Sequence, residues 1–141
     1  MERQVEDNYV KTGKVTFTYK YLPIFPSGES VWAAQAAECA NQQGKFWEYH
    51  DRLFQVWIGE NVGTYTKPNL KQYAADLRLD ATIFNQCLDT DKTLSIVQAD
   101  IEEANRLGIH QTPTFLINGR VLQIQSLDYG QFSRTFDSLL K

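Results

Sequence analysis

The stretch that decides the fold is "GIHQTPTFLINGR", Gly108 to Arg120. It holds a glycine placed to end a helix, a Thr-Pro-Thr, a short apolar run and an Asn-Gly pair. Asn-Gly suits the positive φ angles of a type I′ turn, so "TFLI" and "RVLQIQ" read as the two arms of a β-hairpin. A proline set directly before such a strand raises the question of what its loop faces.

Working outward, "DYGQFSRTFDSLLK" forms a C-terminal helix with Phe132, Phe136 and Leu139 on one side. Upstream, "DKTLSIVQADIEEANRLG" carries Leu94, Val97, Ile101 and Ala104 at helical spacing and stops at Gly108. Asp80 is placed to cap "ATIFNQCL", and Thr66, with Pro68 in the first turn, to cap "NLKQYAADLRL". "ESVWAAQAAECANQQG" is rich in alanine, the best helix former, and Gly44 follows as its stop. "KFWEYHDRLFQVW" puts Phe46, His50, Leu53 and Trp57 on one face. The N-terminal "ERQVEDNYVKTG" reads as a short helix ended by Gly13. In "KVTFTYKYLP", Val15, Phe17 and Tyr19 alternate with Thr16, Thr18 and Lys20, the period of a half-buried strand. Pro23, Pro26 and a Ser27-Gly28 turn close it. The order is helix, strand, helical block, strand, strand, helix.

A chain of 141 residues with 43% hydrophobic and 22% charged residues fits one globular domain. The formal net charge of −3, with no Lys/Arg block, argues against a nucleic-acid surface. No apolar run approaches the roughly 20 residues that span a bilayer. "MERQVEDNYV" has no apolar segment of the signal-peptide kind. A chain starting naturally at Met1 is expected in the cytoplasm; one cut from something longer carries no such implication. The two cysteines, Cys39 and Cys87, form neither a CxxC nor a zinc pattern.

Four segments together, "YVKTGKVTFTYKYLPIF", "AAECANQQGKFWEYHDRLF", "YTKPNLKQYAADLRLDATIFNQCL" and "VQADIEEANRLGIHQTPTFLINGR", resemble the DsbA-like thioredoxin-fold family of thiol–disulfide oxidoreductases. The resemblance covers nearly the whole chain. It implies a single α/β domain over residues 1–141, a thioredoxin-like sheet with a large helical insertion at about 29–107 and a C-terminal hairpin plus helix. It implies extracytoplasmic work if the chain is a fragment, with protein or peptide thiols and disulfides as partners, and no cofactor is expected. It also implies that Pro113 is a cis-proline, the residue that makes a cis bond affordable. The backbone of Thr112 then pairs with an extended substrate.

In that family the loop faces a CxxC at the N-terminus of the first helix, where the helix end lowers a thiol pKa. This chain contains no CxxC, so no catalytic residue carries over. His110, beside the loop, is placed to stabilise a thiolate as an imidazolium, or else is a solvated loop histidine. Cys39 and Cys87 have two readings: a structural disulfide as in similar proteins, expected in an oxidising compartment, or two buried thiols. His50 reads as a packed histidine and not a metal ligand. Trp32, Trp47 and Trp57 read as core packing, and Asp100, Glu102 and Glu103 as a solvated helix face.

The family's first strand, which lies between "VTFTYKYL" and "TFLI", has no counterpart here. Its absence leaves two open sheet edges and uncovers Val15, Phe17, Phe115 and Ile117. The expected outcome is a homo-oligomer paired through those edges. The reading from a different functional class is a non-catalytic peptide- or protein-binding module on the same scaffold.

Overall fold

The computed structural model describes residues 2–23, 25, 28–124 and 126–141. Pro26 and Ser27 of the turn read before α2, and Gln125 at the end of the second hairpin arm, lie outside the described residues. The helices are α1 (Glu2–Val5), α2 (Glu29–Asn41), α3 (Phe46–Val56), α4 (Lys67–Asp76), α5 (Ala81–Asp89), α6 (Leu94–Arg106) and α7 (Tyr129–Leu139). A π-helical turn, Glu6–Val10, continues α1, and the strands are β1 (Leu116–Ile117) and β2 (Arg120–Val121). Two compact units result, Met1–Lys20 with Pro113–Lys141, and Tyr21–Thr112.

In the first unit the Asn-Gly pair does what its chemistry allows. Asn118 and Gly119 take φ of 50° and 78°, and the strands meet antiparallel with Leu116 opposite Val121 and Ile117 opposite Arg120. The ladder extends one step further through Leu122 N–H donating to the Phe115 carbonyl at 2.8 Å. Val5, Tyr9, Phe132 and Phe136 form the buried cluster, with Phe115, Ile117, Leu122 and Ile124 packed on it. The Phe115 and Phe132 rings meet edge to face at 4.9 Å. Asp128 caps α7 by accepting from Gln131 N–H at 3.0 Å. Leu139, expected beside Phe132 and Phe136, is exposed instead, one turn past the reach of the cluster.

The Tyr9 hydroxyl donates to Asp137 Oδ1 at 2.8 Å, tying the N-terminal turn to α7. Burial, then the hydrogen bond to and the charge of Asp137, push the phenol from 10.0 up to about 12.

The segment read as a strand at Val15–Pro23 belongs to no strand, and the sheet among the described residues is β1–β2 alone. Alternation sets which side chains share a face; a strand also needs a neighbour for its backbone, which no local pattern supplies. Val15 and Phe115 remain partly buried against the small cluster, while Phe17 is exposed.

The second unit is helical. Its core gathers Tyr49, Leu70, Phe84, Leu88 and Val97, none of them exposed, against the alanine face Ala36, Ala37 and Ala40 of α2. Small residues let the neighbouring helices approach closely, so the alanines serve packing as well as propensity. Gly44 and Gly108 take positive φ where α2 and α6 end. Asp80 caps α5 through Ile83 N–H at 2.9 Å, whereas Thr66 occupies the cap position of α4 without a side-chain bond. Asp100 is no solvated acid, since its Oδ2 accepts Tyr21 N–H at 2.9 Å. Tyr49 donates its hydroxyl to the Leu70 carbonyl at 2.9 Å, and burial pushes its phenol far up.

The reading of α3 also needs correction. Tyr49, His50 and Leu53 face inward, while Trp47 and Trp57 are exposed at 42% and 53%. Trp32 packs against the core cluster.

Candidate functional site

The loop between α6 and β1 is aimed by a complete Schellman stop. Gly108, at φ 68°, gives its N–H to the Asn105 carbonyl at 3.1 Å, and Ile109 gives its N–H to Ala104 at 2.9 Å. That fixes the exit direction of the chain and leaves His110, Gln111, Thr112 and Pro113 exposed. Thr112 is exposed and makes no hydrogen bond among the described residues. Beyond Pro113, Phe115 returns into the small cluster. The loop follows the helix stop directly, and its far side runs into the partly buried ring of Phe115.

The cysteines are elsewhere. Cys39 on α2 and Cys87 on α5 are joined, with their Cα atoms 5.9 Å apart, and both are buried, 1% and 3% exposed. Thr93 Oγ1 lies 3.8 Å from the Cys39 sulfur and donates to the Gln35 carbonyl at 3.0 Å. No thiol remains in the chain to act as a nucleophile.

His50 is enclosed by rings, with Phe46, Trp47 and Phe54 centroids at 5.9, 5.5 and 4.8 Å and Nδ1 3.2 Å from Asp51 Oδ1. No three His, Cys, Asp or Glu residues gather as a metal cluster among the described residues. No helix among them is long and apolar enough to cross a membrane.

One functional-looking feature escaped the sequence reading. Both oxygens of Glu29 accept backbone N–H groups, from Gly63 and from Tyr65, each at 2.7 Å. The signal for it is faint: a glutamate in a first helical turn, facing a glycine-bearing loop far along the chain.

The profile of the thioredoxin family matches residues 1–138. The chain is 35% identical over 107 residues to the Na(+)/H(+) antiporter NhaA of Herminiimonas arsenicoxydans, covering 76% of this chain and 16% of the antiporter. It is 31% identical over 122 residues to the Na(+)/H(+) antiporter NhaA 3 of Salinispora tropica, covering 84% and 18%. The chain therefore spans less than a fifth of the length of these relatives. The structure of oxidised BdbD from Bacillus subtilis superposes with a TM-score of 0.84 at 23% identity, covering 98% of this chain and 75% of BdbD. That likeness establishes the thioredoxin-like α/β fold, mostly helical with its small sheet.

Proposed function

The chain belongs to the thioredoxin family, in the DsbA-like form in which helices interrupt the thioredoxin unit, and on that premise we propose that it serves thiol–disulfide exchange from the substrate side without carrying the reacting dithiol. The observation behind this is the state of its sulfurs. Exchange needs a thiolate that attacks a disulfide and passes through a mixed disulfide. Both cysteines here are bonded to each other and shut away from solvent. Their bridge is read as structural, of the kind an oxidising compartment preserves.

What the chain offers is recognition. Thr112 presents open backbone groups ahead of Pro113, read as the cis-proline, and an extended protein substrate pairs there. His110 stands beside the loop, where an imidazolium would stabilise a thiolate brought by another segment. The test is insulin reduction by dithiothreitol. The rate with the chain present is expected to equal the uncatalysed control; a rate well above it removes the reading. The DNA upstream of the Met1 codon gives a separate check, since an in-frame CxxC there would make the Pro113 loop half of an active site.

A second reading is favoured by the antiporter matches. They align with most of this chain but a small part of each transporter. A domain of this kind then acts as a non-catalytic protein-binding module attached to a larger membrane protein.

Self-association is the third element of the proposal. One edge of β1 is covered by β2, while Leu116 and Val121 are 39% and 45% exposed. Open strand edges recruit further strands. Light scattering in dilute solution is expected to give a mass above that of one chain, and a stable monomer counts against pairing.

A further inference from the structure

The outer face of α3 and the loop after it carry apolar side chains that the core does not use. Trp47, Phe54 and Trp57 recur at helical spacing, and the rings of Trp47 and Phe54 flank that of the inward-facing His50. Phe54 is 66% exposed, Trp57 53%, Ile58 79% and Val62 56%. With aromatic side chains of roughly 150–250 Å² each, Trp47, Phe54, Trp57, Ile58 and Val62 expose on the order of 500 Å². A patch of that size on a soluble domain is commonly an interaction site.

The chain is anchored just past this loop, at Gly63–Tyr65. Glu29 holds the amides of Gly63 and Tyr65, Asn69 donates to the Gly63 carbonyl at 2.8 Å, Tyr73 to Thr64 at 2.9 Å and the Tyr65 hydroxyl to Leu53 at 2.7 Å. Phe54 is carried on a helix and the loop is anchored at its far end, which limits the ordering cost of binding.

Charge decides the partner. Glu48 is held by Lys45 at 2.8 Å, and Arg52 turns away to Asp76 and the Tyr73 ring. Asp51, its side chain 65% exposed, and the exposed Glu60 leave the rim of the patch negative. An anionic bilayer surface and a nucleic acid are repelled by such a rim. A second copy brings the same acids to the same rim, where like charges oppose docking. A segment with apolar anchors flanked by lysine or arginine fits both features, and its cations also stack on exposed indoles.

We infer that the α3 face and the 57–62 loop dock a basic amphipathic segment of a partner protein. The apolar side chains of that segment lie on Phe54, Trp57 and Ile58, and its cations sit beside Asp51 and Glu60. The surface lies wholly in the helical unit, so it stands whether or not the loop at Pro113 takes part in disulfide exchange.

The probe is a synthetic amphipathic helix of leucine and lysine, titrated calorimetrically into the full chain, with the same pattern in leucine and glutamate as its counterpart. The lysine peptide is expected to bind and the glutamate peptide to bind at least about tenfold more weakly. Phe54→Ser with Trp57→Ser, and separately Asp51→Asn with Glu60→Gln, are each expected to weaken the lysine peptide by about tenfold. All four side chains are exposed, and thermal melts check that the variants fold. Four results overturn the inference: no binding of the lysine peptide, equal binding of both peptides, binding untouched by both double variants, or self-association that Phe54→Ser with Trp57→Ser abolishes.

Discussion

Replacing Cys39 and Cys87 together by alanine is expected to lower the stability of the helical unit by about 4 kcal/mol. The bridge closes a sequence separation of 48 residues. Loop-closure entropy gives about 3 kcal/mol for a 15-residue loop and about 4.7 for 100, and this loop falls between. Both cysteines are buried next to Ala36, Ala40, Phe84 and Leu88 in one cluster, so alanine at either position keeps an apolar contact. The loss therefore falls mainly on the unfolded chain, which becomes free to expand. All three tryptophans lie between Tyr21 and Thr112, so indole fluorescence in urea reports this unit. The variant should show a lower midpoint and a larger m-value. A loss under about 1 kcal/mol would mean that the bridge restricts the unfolded chain little beyond its own residual structure.

Phe132→Ala is expected to cost about 3–5 kcal/mol and to open the hairpin. The small unit has just four buried core residues among those described, Val5, Tyr9, Phe132 and Phe136. Phe132 is 3% exposed and touches Phe115 and Phe136, at 4.9 and 6.3 Å between centroids. Removing its ring leaves a cavity that so few neighbours cannot refill. Two-stranded hairpins are marginal without an apolar face to rest on, so the ladder goes with the ring. The Leu122 amide, bonded to Phe115, is the reporter: its hydrogen exchange should quicken by orders of magnitude. Exchange as slow as in the parent would show that the ladder holds by itself. Pro113 lies just two residues before Phe115, so the same change should release one anchor of the candidate recognition loop.

Legibility in the sequence divides along a physical line. The features read correctly depend on a few adjacent residues. Asn118-Gly119 favours the backbone angles of a tight turn whatever surrounds it. Asp80 caps the helix directly after it, and Gly44 and Gly108 stop helices because they tolerate positive φ. The helix stop before Thr112 and Pro113 and the hairpin after them were legible for the same reason. The features that were missed depend on partners remote in sequence. Glu29 and the amides of Gly63 and Tyr65 come together across more than thirty positions, with no local mark of the encounter.

Helix α3 shows why periodicity alone falls short. Phe46, Trp47, Tyr49, His50, Leu53, Phe54 and Trp57 leave apolar side chains nearly all round it, so several faces qualify as the buried one. Packing against the rest of the helical core selects Tyr49, His50 and Leu53 and leaves Trp47 and Trp57 outside. Likewise the alternation of Val15, Phe17 and Tyr19 specifies a face but not a neighbouring strand, and the segment joins no ladder. By itself the sequence determined the order of the helices, their stops, the hairpin turn and the family, because these rest on local backbone preference and on motif spacing. The tertiary structure alone decided that Val15–Tyr19 joins no ladder, which face of α3 is buried and that Glu29 meets the amides of Gly63 and Tyr65, and it chose the bridge over two free thiols at Cys39 and Cys87, because each is a contact between segments whose closeness no short stretch encodes.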